Sequence, residues 1–211
     1  MNKNNVSIPT VVVTAIVTLG IGYLLFRTAP QNVNQQAAAG DPMHGGSAVA
    51  VNSAQLDSLV GKSMPAIRLT DKDGKTFSPA DVRGKYTVLF FNEGLMCYPA
   101  CWNQISAFGS DPRFNNDQIQ AISVVTDPAN EWQKAITKMP ELAKADTMFD
   151  TGASASRQLG MLTTASSMHK GSLPGHTYIV IDKEGVVRYV FDDPNMAIAN
   201  DMLLGKIGEL K

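Results

Sequence analysis

Cysteine is scarce in this chain: only Cys97 and Cys101 occur among 211 residues. A disulfide framework closes long loops. A pair four positions apart closes almost none, which excludes stapling the fold as its job. Histidine is nearly as scarce, with three residues, which excludes a multi-zinc protein. An excess of charge is also missing. Eighteen basic residues face 19 acidic ones, for a net charge of -1. A nucleic-acid binder needs a basic face to displace counterions, and this balance argues against one. Charged residues make up 18% and hydrophobic residues 44%, which excludes disorder of the chain as a whole.

A long uncharged run stands at the N-terminus. No charged side chain occurs from Asn4 to Phe26, and Ile8 to Phe26 is mostly apolar. At about 1.5 Å per residue, a helix over this run spans the ~30 Å bilayer core. Tyr23 near one end suits an interface. Residues 1–27 are therefore expected to form a membrane anchor. A cleaved signal sequence is the rival reading, but the nearest small-residue site, Ala37-Ala38-Ala39, lies beyond the usual distance. Residues 28–54 are rich in Gln, Asn, Ala and Gly, with no hydrophobic period, and read as a flexible linker. Met43 and His44 within it are incidental linker residues. Lys3 and Arg27 flank the run on either side, so charge bias barely votes on orientation. The short N-terminal tail and the thiol chemistry favour a C-terminal domain outside the cytoplasm.

Residues 55–211 form one domain of alternating strands and helices. Ala66–Thr70, a turn at Asp73-Gly74 and Thr76-Phe77 read as a hairpin. Tyr86–Phe91 and Ile119–Thr126 read as strands buried on both faces. A helix is expected over Pro99–Phe108. A second opens at Pro128 and runs to Met139, with Trp132, Ile136 and Met139 at helical spacing. A short strand at 147–150 and a short helix at 153–159 follow. Tyr178–Asp182 and Val186–Phe191 flank a Lys183-Glu184-Gly185 turn, and Ala197–Leu210 closes as a helix. Strand–helix–strand units imply parallel pairing, and the late hairpin adds antiparallel strands. The fold class is α/β, a mixed central sheet with helices on both faces.

The chemistry sits in Cys97-Tyr98-Pro99-Ala100-Cys101. The motif follows a buried strand and opens a helix. A helix N-terminus favours a thiolate, which points to Cys97 as the attacking sulfur. Cys101 lies about one turn on, on the same face, where it can resolve a mixed disulfide or sulfenic acid. The same two sulfurs can clamp a soft ion.

The stretch Val60 to Ala66, with Leu69, Asp73-Gly74-Lys75, Arg83-Gly84-Lys85 and Val88 to Phe91, resembles the entry to thioredoxin-fold redoxins. These include the AhpC/TSA peroxiredoxin-like proteins, membrane-tethered thiol oxidoreductases and the Sco copper chaperones. Thr177 to Asp182 with Gly185 to Arg188 resembles their closing hairpin. The resemblance covers nearly all of residues 56–211 and implies a thioredoxin-like fold. Two departures bear on activity. Peroxiredoxins use P-x-x-x-T-x-x-C, whereas here Gly94 and Phe90 precede Cys97, and Tyr98 and Gly94 precede Cys101 at those positions. Thioredoxins have two residues between their cysteines, and this chain has three. The spacing is similar to that of the peroxiredoxin subgroup that resolves within one helix. It is also that of the Sco family, whose C-x-x-x-C is joined by a histidine at the start of the closing hairpin. His176 occupies a comparable place.

The resemblance implies a membrane-anchored thiol oxidoreductase that exchanges disulfides or reduces a peroxide. Cys97 and Cys101 are its catalytic pair, and an external reductant regenerates the dithiol. No cofactor is required. The alternative is a copper-binding chaperone using Cys97, Cys101 and His176, and a third reading is an inert interaction domain. Supporting candidates are His176, Pro174 as the cis-proline opposite the cysteines, and Glu93 as a proton acceptor or a surface carboxylate. His169 reads as an exposed loop histidine, Met96 as packing, and Trp102 as a cover over the helix start.

Overall fold

The computed structural model describes residues 51–211. The expected anchor at residues 1–27 and most of the expected linker lie outside the described residues. Among the described residues, no helix is long and apolar enough to cross a membrane.

A five-stranded mixed sheet organises the domain, in the order β3-β2-β1-β4-β5. Its strands are β1 (Tyr86–Asn92), β2 (Ile119–Val125), β3 (Asp146–Phe149), β4 (Thr177–Ile181) and β5 (Val187–Asp192). β1 pairs parallel with β2 and β2 parallel with β3, while β4 runs antiparallel to both β1 and β5. The helices are α1 (Ala54–Asp57), α2 (Ala100–Ser110), α3 (Ala129–Lys138), α4 (Ser154–Gln158) and α5 (Asn200–Gly208). This is the mixed α/β architecture that the alternation of patterns predicts.

Central strands carry continuous apolar runs because helices cover both faces. All seven residues of β1 and all five of β4 are buried. Successive side chains point to opposite faces, so β1 feeds two cores. Val88 and Phe90 join Trp102, Ile105 and Phe108 of α2, Trp132 of α3, and Leu203 and Ile207 of α5. Leu89 and Phe91 join Leu56 of α1, Leu159 at the C-terminal end of α4, and Leu69, Phe77 and Val82 of the N-terminal segment.

The expected hairpin at 66–77 is reduced to isolated bridges. Thr70 pairs once with Thr76 and once with Phe149. The chain turns at Gly74, whose φ is +83°, and the Asp71 side chain accepts the N–H groups of Asp73 and Lys75. Backbone bonds from Asp71 N–H to the Lys75 carbonyl and from Phe77 N–H to the Leu69 carbonyl join the two arms, but the pairing is too short for named strands and the segment covers the sheet. The closing hairpin forms as expected. Asp182 accepts the N–H groups of Glu184 and Val186, and Gly185 takes the left-handed φ of +84°.

Candidate active site

Cys97 and Cys101 are joined by a disulfide, with Cα atoms 5.4 Å apart. Both are buried, Cys97 at 2% exposure and Cys101 at 0%. The spacing predicts that they share one helix, and they do not. Cys97 ends a short 3-10 turn over Gly94–Cys97, and Cys101 sits in the first turn of α2. Pro99 is the reason. A residue before proline is pushed out of the α region, and Tyr98 is extended at φ -80°, ψ 138°. The helix therefore starts after Pro99, and its free N–H groups begin at Ala100, next to Cys101.

The turn that presents Cys97 is held by side chains around it. Asn92, wholly buried at the end of β1, accepts the Gly94 N–H and donates to the Phe90 and Val124 carbonyls. Asp127, just after β2, accepts the Leu95 N–H at 2.8 Å. Burial pushes its carboxyl above the usual range. Trp102 donates from Nε1 to the Gly94 carbonyl and covers the helix start as expected. Gly94 has φ +61°, and a Cβ there would lie 1.8 Å from Asp127 Oδ2, so no other residue fits without displacement.

Across the sulfurs, β4 begins with a buried polar set. His176 Nδ1 lies 3.5 Å from Cys101 Sγ. His176 Nε2 lies 2.7 Å from the Tyr178 hydroxyl, which donates to Gln104 Oε1 on α2 at 3.1 Å. Phe90 packs against both rings, with centroids 4.5 Å from His176 and 4.7 Å from Tyr178. Burial lowers the His176 pKa to about 4, so the imidazole is neutral at neutral pH. Cys97, Cys101 and His176 bring their donor atoms within 4.8 Å of one another. With the sulfurs bonded to each other, no thiolate is available to a cation. In the dithiol form, two sulfurs and one imidazole make a soft donor set.

Three expectations are corrected here. The Pro174 peptide is trans, and the cis bond among the described residues is Tyr98–Pro99. Gly175 makes the close approach instead, since a Cβ there would meet Ser166 Oγ at 2.0 Å. The His176 N–H donates to that same oxygen at 2.7 Å. The segment is thus pinned so that His176, the next residue, meets the sulfur. Glu93 is not a surface carboxylate. It is buried at 1% exposure, and its oxygens bind the N–H groups of Met168 and His169 and the His169 ring. His169 is partly exposed and tied to Glu93, which fastens its loop to the end of β1. Met96 does not pack. It is 59% exposed, as Tyr98 and Met168 also are to a similar degree. Beside them, Leu95, Tyr98, Trp102, Lys134, Lys138 and Met139 line a groove of about 550 Å³.

Sequence reasoning missed Asn92, Asp127, Gln104, Tyr178 and Asn200. A glutamine three residues after Cys101, on a helix face that is otherwise apolar, was the one available signal for the polar set.

Chloroplastic peroxiredoxin Q of Triticum aestivum is 31% identical over 139 residues, covering 63% of this chain and 58% of that protein. The counterpart from Populus jackii is 29% identical over the same length. The chain thus spans less than two thirds of these relatives' length. Among solved structures, the yeast mitochondrial 1-Cys peroxiredoxin superposes with a TM-score of 0.58 at 18% identity, covering 72% of this chain and 75% of that one. A peroxiredoxin-like protein from Aquifex aeolicus gives 0.56 at 20% identity, covering 72% and 87%. These likenesses show the thioredoxin-like fold. The AhpC/TSA family model matches residues 60–190, and the chain belongs to that family.

Proposed function

We propose that this protein is a membrane-anchored thiol oxidoreductase whose Cys97–Cys101 pair cycles between dithiol and disulfide. The observation that carries this reading is the bond between two cysteines at the end of the central strand, with an imidazole nitrogen 3.5 Å from Cys101. Cys97, which ends the short turn whose Leu95 lines the groove, attacks a hydroperoxide or a partner disulfide. With a peroxide, the Cys97 thiolate takes one oxygen, the O–O bond breaks, and an alkoxide or hydroxide leaves. Cys101 then attacks the Cys97 sulfenic acid, the S–S bond forms, and water departs. An external thiol reductant returns the disulfide to the dithiol. The residues 8–26 hold the domain at a membrane, on the side away from the cytoplasm.

Peroxide reduction is supported by the family and by the likeness to peroxiredoxin Q. Gly94 and Phe90 at the positions of the peroxiredoxin threonine and proline favour a slower peroxidase with a disulfide-exchange activity. The test is hydroperoxide consumption coupled to an added dithiol, with Cys97→Ser and Cys101→Ser made separately. Cys97→Ser is expected to abolish turnover, and Cys101→Ser to leave a trappable sulfenic acid on Cys97. No turnover and no adduct would overturn the reading.

The convergence of Cys97, Cys101 and His176 favours one second reading, copper carried by the dithiol form. It requires that reduced protein bind Cu(I) and that His176→Ala weaken the binding while peroxide leaves both thiols intact.

A further inference from the structure

The polar set beside Cys101 has a direction, and each amide in it is oriented by a group that cannot flip. Asn200 Nδ2 lies 3.3 Å from the Ala107 carbonyl and 3.0 Å from Asp111 Oδ2, both acceptors only. Its Oδ1 is therefore left to accept from Gln104 Nε2 at 2.8 Å. Gln104 Oε1 accepts the Ala199 backbone N–H at 2.7 Å, which fixes the glutamine as well. The Tyr178 hydroxyl is 3.1 Å from that same Oε1, and the one proton between the two oxygens is the tyrosine's. With its proton given away, the Tyr178 oxygen is an acceptor toward His176 Nε2. Nε2 must then carry the ring proton, and Nδ1 is a bare lone pair aimed at Cys101 Sγ. At its outer end the chain rests on the Asp111–Arg113 ion pair, which holds the Asp111 carboxyl well below the usual range. The acceptor that starts the chain is thus ionised at neutral pH.

We infer that the chain Asp111–Asn200–Gln104–Tyr178 presets His176 as its Nε2–H tautomer, so that Nδ1 accepts the Cys101 thiol proton when Cys101 closes the disulfide. His176 is the catalytic residue of the resolving step, and Tyr178, Gln104 and Asn200 are positioning residues. Cys97 has no part in this contact, so the two sulfurs are served by different machinery. The inference deepens the proposed function by separating its two half-steps. When Cys97 carries a foreign thiol, Cys101 sulfur bonds to Cys97 sulfur and the Cys101 S–H bond breaks toward Nδ1. The foreign thiol departs with the electron pair of the broken S–S bond, and the proton on Nδ1 then passes to solvent.

The test uses the reduced full-length chain with dithionitrobenzoate, an aromatic disulfide that releases one coloured thiolate at each step. The first release reports attack by Cys97 and the second closure by Cys101. Positioned proton transfer contributes roughly 100-fold or more. His176→Ala is expected to slow the second release about 100-fold, and Tyr178→Phe about 10-fold, with the first release unchanged. Equal slowing of both releases, or of neither, would overturn the inference. Tyr178→Phe keeps the ring's packing and guards against an unfolded His176→Ala. Nitrogen-15 NMR of wild-type His176 reads the tautomer directly. Protonated Nε2 with bare Nδ1 is expected, and protonated Nδ1 would overturn the inference whatever the variants do. If the chain reduces no peroxide while the second release still depends on His176, the peroxidase reading fails and the relay stands.

Discussion

Both faces of the sheet bury an apolar cluster, and they do different work. One face is packed by Leu69, Leu89, Phe91, Leu159, Ile179 and Ile181, with loops and two short helices over it. The other is built around Phe90, Trp102, Trp132 and Tyr178 under three longer helices. Both cysteines, His176 and the Gln104–Asn200 chain lie on this second side. Aliphatic side chains offer shape alone. Aromatic rings with polar edges offer shape and an oriented hydrogen bond. Alternation along β4 puts Tyr178 and Ile179 on opposite faces, so one strand supplies both surfaces.

That contrast can be broken by substitution. The largest expected effect is on the aliphatic face. Leu89 is fully buried, and Leu89→Ala is expected to cost about 2–5 kcal/mol in chemical denaturation. Because Leu89 has no part in the sulfur chemistry, the ratio of the two thiolate releases should not move. A changed ratio would show that the faces are not independent.

Gly94→Ala comes next. The left-handed φ of +61° and the approach of Asp127 Oδ2 predict a loss of about 1–3 kcal/mol. Adding Asp127→Ala should recover part of it. Strict additivity in the double-mutant cycle would contradict the close approach. Asp127 supplies a pH-dependent comparison too. Its carboxyl is raised by burial, so its contribution is present at low pH and is lost as pH rises through its folded pKa. Asp127→Asn should therefore gain on wild type as pH is raised from the acid range to neutrality. A constant gap across that range would contradict the burial argument. The smallest effect is expected from His169→Ala. That ring is partly exposed, and Glu93 keeps two backbone N–H partners without it. A loss under about 1 kcal/mol is expected, and a larger one would make the Glu93–His169 pair a main fastening of the site.

These residues also mark where the sequence was legible. Val88 to Phe91 reads as a central strand because four consecutive apolar residues admit few other readings, and Lys183-Glu184-Gly185 reads as a turn through its glycine. Cys97 and Cys101 announce themselves by rarity. His176 was reached through its place before the closing hairpin. The hairpin at 66–77 is shorter than its pattern suggests: Asp71 bonds the local backbone at the turn, and pairing stops after the Thr70–Thr76 bridge and its neighbouring backbone bonds. Glu93 was misread because burial of a carboxylate depends on partners 75 residues away. Gln104, Tyr178 and Asn200 were missed for the same reason, since nothing local marks a glutamine and an asparagine 96 residues apart as partners.

The most direct test of the account is to treat the fully reduced chain with one equivalent of hydroperoxide and map its cysteines by mass spectrometry. The expected result is an intramolecular Cys97–Cys101 disulfide with loss of both thiol hydrogens, and in Cys101→Ser a sulfenic acid confined to Cys97. Two thiols that survive the peroxide unchanged, or oxidation that begins at Cys101, would contradict it.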